Sequence, residues 1–139
     1  CDYNNYCNAN GIPTKWIFTT GPVDDEDTAI GGTETAVQRE LKHDYIRSFV
    51  ALDETRILFD YADILCWNNQ GIKYTLTWND GGTIRSHAHI HPDNKMDYDG
   101  SWRIIAGEGQ ATHIGEVGAL RLAKAMWWML ARIAGWDGK

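Results

Sequence analysis

Two histidine-bearing stretches carry the residue types that do chemistry near neutral pH. His87, His89 and His91 alternate along His87-Ala88-His89-Ile90-His91-Pro92-Asp93. On a strand, alternate residues share a face, so the three imidazoles point the same way. Adjacent members form an H-x-H pair that suits one divalent metal, with a third ligand from elsewhere. All three on a straight strand span about 13 Å, too far for one ion at bonds of roughly 2 Å. A bend at Pro92 would bring Asp93 in. The pattern is not the H-x-H-x-D-H metal motif, because His91 stands where the acid belongs. The competing reading is a polar strand face with partly exposed histidines, which takes up divalent metal only weakly or adventitiously. The second stretch is Thr112-His113-Ile114-Gly115. It places one imidazole just ahead of a helix, where the chain has left the core and a side chain can meet solvent or substrate. A weaker feature is the Asp-x-Asp-Gly turn within Asp93–Gly100, which offers hard oxygen ligands. It lacks the spacing and final bidentate Glu of an EF-hand loop and reads as an acidic turn.

The helix after His113 is the best-defined element of the sequence. Ala119, Leu122, Ala123, Met126, Met129, Leu130 and Ile133 recur at helical spacing, with Arg121, Lys124, Trp128 and Arg132 opposite. Gly135 is placed to end it, since glycine takes the left-handed cap conformation without a Cβ penalty. Upstream, residues 1–14 read as the end of a helix and a Gly-Pro loop. Lys15-Trp16-Ile17-Phe18-Thr19-Thr20 reads as a buried strand. The acidic run Asp24–Asp27 is a solvated loop, with a metal site as the minority reading. A helix opens at Gly31-Gly32-Thr33, with Val37, Leu41, Tyr45, Ile46, Phe49 and Val50 as its apolar stripe. Glu40, Lys42, His43, Asp44 and Arg47 cover its wet side, and His43 is expected at the surface. Arg56-Ile57-Leu58-Phe59-Asp60-Tyr61 is a second buried strand. Strand, helix, strand at this spacing is a βαβ unit with parallel strands and a right-handed crossover. Tyr74–Trp78 and Thr83–His87 flank Asn79-Asp80-Gly81-Gly82 and predict a hairpin, inserted at about 72–91.

Composition bounds the rest. The 139 residues suffice for one domain with a sizeable core, and 43 % apolar content argues against disorder. A net charge of −6 and no clustered cationic face argue against nucleic acid as a partner. No run of 18 apolar residues exists to cross a membrane. Cys1, Cys7 and Cys66 are an odd count. A Cys1–Cys7 or Cys7–Cys66 disulfide leaves one thiol over. The sequence opens at Cys1 without an initiator Met, and the expectation is a mature or truncated product. Asn- and Gly-rich loops, many aromatics and an acidic balance point to an exported protein, extracellular or at the cell surface.

Several of these stretches together carry a resemblance. Trp16-Ile17-Phe18-Thr19-Thr20-Gly21, Tyr45-Ile46-Arg47, Ile57–Ile64, Ala111-Thr112-His113 and Ala125–Gly138 look like the C-terminal half of SGNH/GDSL-type hydrolases. They are most similar to a secreted bacterial branch that ends in a Trp-rich helix and Ala-Gly-Trp-Asp-Gly. The resemblance implies a flavodoxin-like three-layer α/β/α fold and hydrolysis of esters, often acetyl groups on polysaccharides. It places His113 where the family keeps its catalytic base. The chemistry suits that role: an imidazole can take the proton of a weakly nucleophilic serine and return it to the leaving alcohol. The family's Gly-Asp-Ser motif and its oxyanion-hole Gly and Asn blocks are not in this sequence. The acid three residues before the histidine is replaced by Gln110, leaving Glu108 as the nearest carboxylate. The competing reading of His113 is a packing or capping residue at a helix N-terminus.

The expectation is therefore a single α/β domain, 1–139, doubly wound and mainly parallel, with the N-terminal half of the family fold absent. The family sheet has about five strands, of which this sequence supplies the last two or so. Such a piece leaves parallel edges and faces uncovered, so a missing N-terminal segment or another protein chain is expected against it. The leading function is the C-terminal part of an extracellular carbohydrate esterase, with no cofactor and with the serine outside the chain. Trp67, Trp78 and Trp102 are the expected glycan contacts. The alternative is a non-catalytic surface or assembly protein that keeps a decayed hydrolase fold and self-associates.

Overall fold

The computed structural model describes residues 2–21, 36–80, 82–95 and 114–139. Its elements are helices α1 (Asp2–Ala9), α2 (Ala36–Ala51), α3 (Tyr61–Cys66) and α4 (Glu116–Ile133), and strands β1 (Ile17–Thr19), β2 (Ile57–Phe59), β3 (Thr75–Asp80) and β4 (Thr83–Ala88). The class is α/β, with mixed helices and small sheets. Among the described residues there are two sheets of two strands each.

The β-branched and aromatic runs at Ile17 and Ile57 pair in parallel, Ile17 with Ile57 through Thr19 with Phe59, and α2 lies between them in the chain. The strand–helix–strand expectation holds. The expectation of buried strands does not: Ile17 is 38 % exposed. Among the described residues neither strand has a second neighbour, and an apolar groove lies along the pair. Ile17, Thr19, Phe59 and Tyr61 line it on one side, and Leu122, Ala123 and Met126 of α4 on the other.

The stripe assigned to α2 also needs correction. Leu41 and Tyr45 are 63 % and 72 % exposed, whereas His43 is buried. The inward face carries Glu40, His43, Arg47 and Val50, one helical turn apart, and each polar member has work to do there. Glu40 Oε2 accepts from the Ala88 backbone N–H of β4 at 3.1 Å, and Arg47 reaches Asp60. Phe49 meets Phe18 edge-on, with ring centres 5.5 Å apart. The second strand stops at Phe59, short of the expected Tyr61. Asp60 instead caps α3, its side chain accepting from the Asp63 N–H at 3.1 Å.

The expected hairpin forms, antiparallel from Thr75–Ala88 to Asp80–Thr83, but Asn79 and Asp80 belong to β3 and not to the turn. Beyond it, a 3-10 turn at Pro92–Asn94 locks the molecule together. Asn94 Nδ2 donates to the Leu65 and Trp67 carbonyls, both at 2.8 Å, closing the end of α3. The Asn94 carbonyl accepts from Gly115 N–H at 2.9 Å, which seats the start of α4. The fit is tight enough that a Cβ on Gly118 would stand 2.5 Å from the Asn94 carbonyl oxygen. Ala62, Leu65, Cys66 and Ile90 form the buried core at this junction, with Ile114 and Leu122 packed on it.

Helix α4 ends as its sequence predicts. Gly135 has φ +100°, its N–H reaches the Arg132 carbonyl, and the Trp136 N–H reaches the Ala131 carbonyl. This is the paired Schellman closure. Trp136 folds back to 6.2 Å from Trp127 between ring centres, and Arg132 Nη1 donates to its carbonyl at 3.1 Å. The apolar stripe of α4 is only partly covered: Met129 is buried, but Leu130 is 49 % exposed. No described helix is long and apolar enough to cross a membrane.

The expected Cys7–Cys66 disulfide is overturned. Cys7 and Cys66 are buried free thiols, so the Cys7–Cys66 bridge does not form, and Cys1 lies outside the described residues. Cys66 Sγ donates to the Ala62 carbonyl at 3.0 Å, and burial pushes its pKa up to about 12. An un-ionised thiol at that depth packs as a small apolar group.

Candidate functional site

The carboxyl ends of β1 and β2 meet in a polar cluster that the sequence did not single out. Thr20, directly after β1, is buried. Its hydroxyl donates to Asp60 Oδ1 at 2.9 Å and accepts from the Ala62 N–H at 2.9 Å. Asp60, directly after β2, takes two further bonds from the Arg47 guanidinium, Nε to Oδ2 at 2.6 Å and Nη2 to Oδ1 at 3.0 Å. Arg47 is steadied in turn by Asp44, at 2.7 Å. His43, one turn earlier on α2, packs against Gly21, where a Cβ would stand 3.4 Å from its Nε2.

The electrostatics separate the roles. Burial pulls the Asp60 carboxyl upward, but the bonds from Arg47, the Asp63 N–H and Thr20 outweigh it and hold the group below its usual value. Asp60 is thus an ionised acceptor with its lone pairs filled, suited to positioning and not to proton transfer. His43 titrates below its usual value, because burial and then the Arg47 charge disfavour the imidazolium, with Asp60 pulling the other way. His43 is thus held as a neutral, buried imidazole beside the end of β1.

The histidine strand lies elsewhere. His87 and His89 are buried, not partly exposed, because the end of β4 runs under α2 where Glu40 holds Ala88. Their ring centres are 6.0 Å apart. Tyr74 sits edge-on to both His89, at 5.8 Å, and His91, at 5.9 Å. His91 Nδ1 accepts from the Asp93 N–H at 3.1 Å and so caps the 3-10 turn. The turn at Pro92 does bring Asp93 in, with its Oδ2 3.6 Å from His91 Nδ1. Among the described residues no three His, Cys, Asp or Glu side chains converge as a set of metal ligands.

Of the expected glycan contacts, Trp67 is tied into the fold. Its Nε1 donates to Asp63 at 3.2 Å, Lys73 lies 5.7 Å over its ring, and it packs on the core. Trp78 stands in β3 opposite Arg85, and its side chain is outside the described residues. His113, Glu108 and Trp102 lie outside them as well, as do the acidic run at 24–27, the helix start at 31–33 and the turn at 96–100. What is described is the residue after His113: Ile114 bridges Lys95, beside the Asn94 turn.

Thr20, His43, Arg47 and Asp60 were missed because each looks ordinary alone. The available signal was positional: a Thr and an Asp each directly follow a β-type run, where α/β sheets gather their chemistry. No family model, curated protein or solved structure matches this chain.

Proposed function

We propose that the chain is the C-terminal part of an extracellular SGNH-like ester hydrolase acting on acylated carbohydrate. His113 is its general base, and the serine nucleophile comes from residues outside these 139. The observation that supports this best is the parallel β1–β2 pair, whose carboxyl ends, Thr20 and Asp60, meet at one polar cluster. Open α/β sheets hold their ligands outside the carboxyl ends of their strands. In this reading further strands extend the pair into a flavodoxin-like three-layer sheet. Helix α2 would cover one face and α4 the other, which the groove between Phe59 and Leu122 of α4 supports. The Asp60–Arg47–Thr20 network fixes the strand ends. His113 takes the serine proton as the oxygen attacks the ester carbonyl and gives it to the departing alcohol. Glu108 orients the imidazole. With Trp67 occupied in packing, Trp78 and Trp102 face the glycan. No cofactor takes part.

The test is a serine-directed fluorophosphonate probe and an acetate-release assay on acetylated xylan, using the full-length natural protein. The expected result is labelling of one serine, and a loss of kcat/KM of about 10²–10⁴-fold in His113→Ala. No labelling and no acetate release would end this reading.

A second reading draws on another observation. Trp127 is 68 % exposed and Trp128 55 %, beside the exposed Leu130. Such a side suits a non-catalytic surface or assembly protein that uses the helix and the strand edges for subunit contacts. Self-association in sedimentation, together with a silent probe, selects it.

A further inference from the structure

At the end of the β1–β2 pair opposite the Thr20–Asp60 cluster lies a separate cavity of about 420 Å³. That is the size range of small-ligand pockets, about 300–1,000 Å³. Lys15 and Trp16 precede β1, and Arg56 precedes β2, so the chain passes from this cavity to the polar cluster within each short strand. The walls are aromatic: Trp16, Phe18 and Phe49. Trp16 is held edge-on by Tyr3, ring centres 5.3 Å apart, yet keeps 37 % of its surface exposed. A fixed, half-open indole is a stacking surface for the apolar face of a sugar ring.

The charges set the class of ligand. Lys15, Arg56 and Asp53 line the cavity, two cations against one anion. Asp53 stays ionised, since the Thr55 hydroxyl and N–H both donate to it at 2.7 and 2.9 Å and hold its pKa down. Its other oxygen lies 3.6 Å from Arg56 Nε. Arg56 is committed further: its Nη1 donates to the Phe49 carbonyl and its guanidinium sits 3.9 Å over the Phe49 ring. Lys15 forms no ion pair among the described residues. The pocket thus carries one surplus positive charge, on the side chain next to the stacking indole. Asn8 and Thr14 add amide and hydroxyl groups at its rim, the usual partners of sugar hydroxyls.

We propose that this cavity binds a pyranose ring bearing a single anionic substituent, as in an acidic polysaccharide, with the ring on Trp16 and the anion on Lys15. The substituent has two sources, a uronate carboxylate or a sulfate ester. The site is distinct from the strand-end cluster and does not depend on the hydrolase reading.

Isothermal titration of the full chain tests it, with three ligands of equal length: an oligogalacturonate, a sulfated galacto-oligosaccharide and neutral cello-oligosaccharide. The expected result is binding of one or both acidic ligands, at least tenfold tighter than the neutral one. Lys15→Glu on the exposed side chain should weaken it by about tenfold or more, the worth of one charge-assisted hydrogen bond. Trp16→Ala should abolish it, with circular dichroism confirming the fold. A preference for the carboxylate or the sulfate identifies the source. The titration reads binding and needs no turnover, so a failed esterase assay leaves this result standing. Equal affinity for the neutral ligand, no binding of any of the three, or binding unchanged in Lys15→Glu overturns the proposal.

Discussion

The junction around Asn94 and the carboxyl ends of the β1–β2 pair each hold elements together through a few side chains, yet they are closed in opposite ways. At the junction one buried amide ties the end of α3, and its own carbonyl seats the start of α4, with Gly118 packed against it. The core residues Leu65, Cys66 and Ile90 sit directly beneath. The strand pair has three residues per strand, an exposed Ile17 and a groove on one face. What holds its far ends together is a set of charged and polar bonds, Thr20 and Arg47 to Asp60. One region is determined by packing and buried amide bonds, and the other by side-chain electrostatics. They should therefore fail under different perturbations.

The largest effect is expected at the junction. Asn94→Ala removes the only described donor to the Trp67 carbonyl and one of two to the Leu65 carbonyl, which also accepts from His91 N–H. Stranding a buried acceptor costs about 1–3 kcal/mol. The variant also opens a small void, and it relieves Asn94 Oδ1, which is buried without a partner among the described residues. The balance is a loss of about 2–3 kcal/mol. Urea unfolding should show a lower midpoint at an unchanged slope. An unchanged midpoint would show that the junction is not the anchor described.

Legibility in the sequence follows the same division. Helix α4 was readable because its period runs for many residues and Gly135 marks its stop, both local signals. The hairpin was readable from its turn residues, and the parallel unit from two β-type runs flanking a helix. The inner face of α2 was not readable. Glu40 and Arg47 are half-buried and drawn inward by partners 48 and 13 residues away, Ala88 and Asp60, and nothing near them in the chain announces this. A hydrophobic-stripe rule assigns such residues to water and exposes the wrong side. Helix α3, with six residues, is too short for periodicity to register. The strand-end cluster went unread for a similar reason: beyond the positions of Thr20 and Asp60 after two β-type runs, its members become polar partners only once β1, β2 and α2 come together. His113 and Glu108 were named from a resemblance, and they lie outside the described residues.

A smaller effect is expected at the strand pair, and its signature is pH dependence. Asp60 has a depressed native value, so its contribution is complete above the ordinary carboxyl value of 3.8 and is lost as pH falls through the lower native one. Asp60→Asn sets an amide N–H against the Arg47 donors and should cost about 1–2 kcal/mol at neutral pH. It should also flatten the acid limb of the stability profile. His43 acts in the same direction but higher on the scale. Its native pKa is lowered, so the unfolded chain binds the extra proton first, and stability declines as pH drops below 6.5. His43→Gln should flatten that part of the curve alone. If Asn94→Ala, and not these two variants, altered the shape of the pH profile, the division between packing and electrostatics would be wrong.

The smallest effect is expected on the outer side of α2, where the comparison can be sharpened. Leu41 is 63 % exposed and Tyr45 72 %. If solvent covers them, Leu41→Gln removes no burial and should change the unfolding free energy by no more than about 0.5 kcal/mol. Helix propensity gives no counterweight, since Leu and Gln are nearly equal. A loss of more than about 1 kcal/mol has a different meaning, because a side chain of that exposure has little packing to lose within the chain. The missing contacts would then lie on another surface, and the loss should grow with protein concentration as mass action requires. Measuring the variant at two protein concentrations separates the outcomes. A small and constant change leaves α2 as a wet outer wall over the strand pair, whereas a concentration-dependent loss makes its Leu41–Tyr45 side part of an interface.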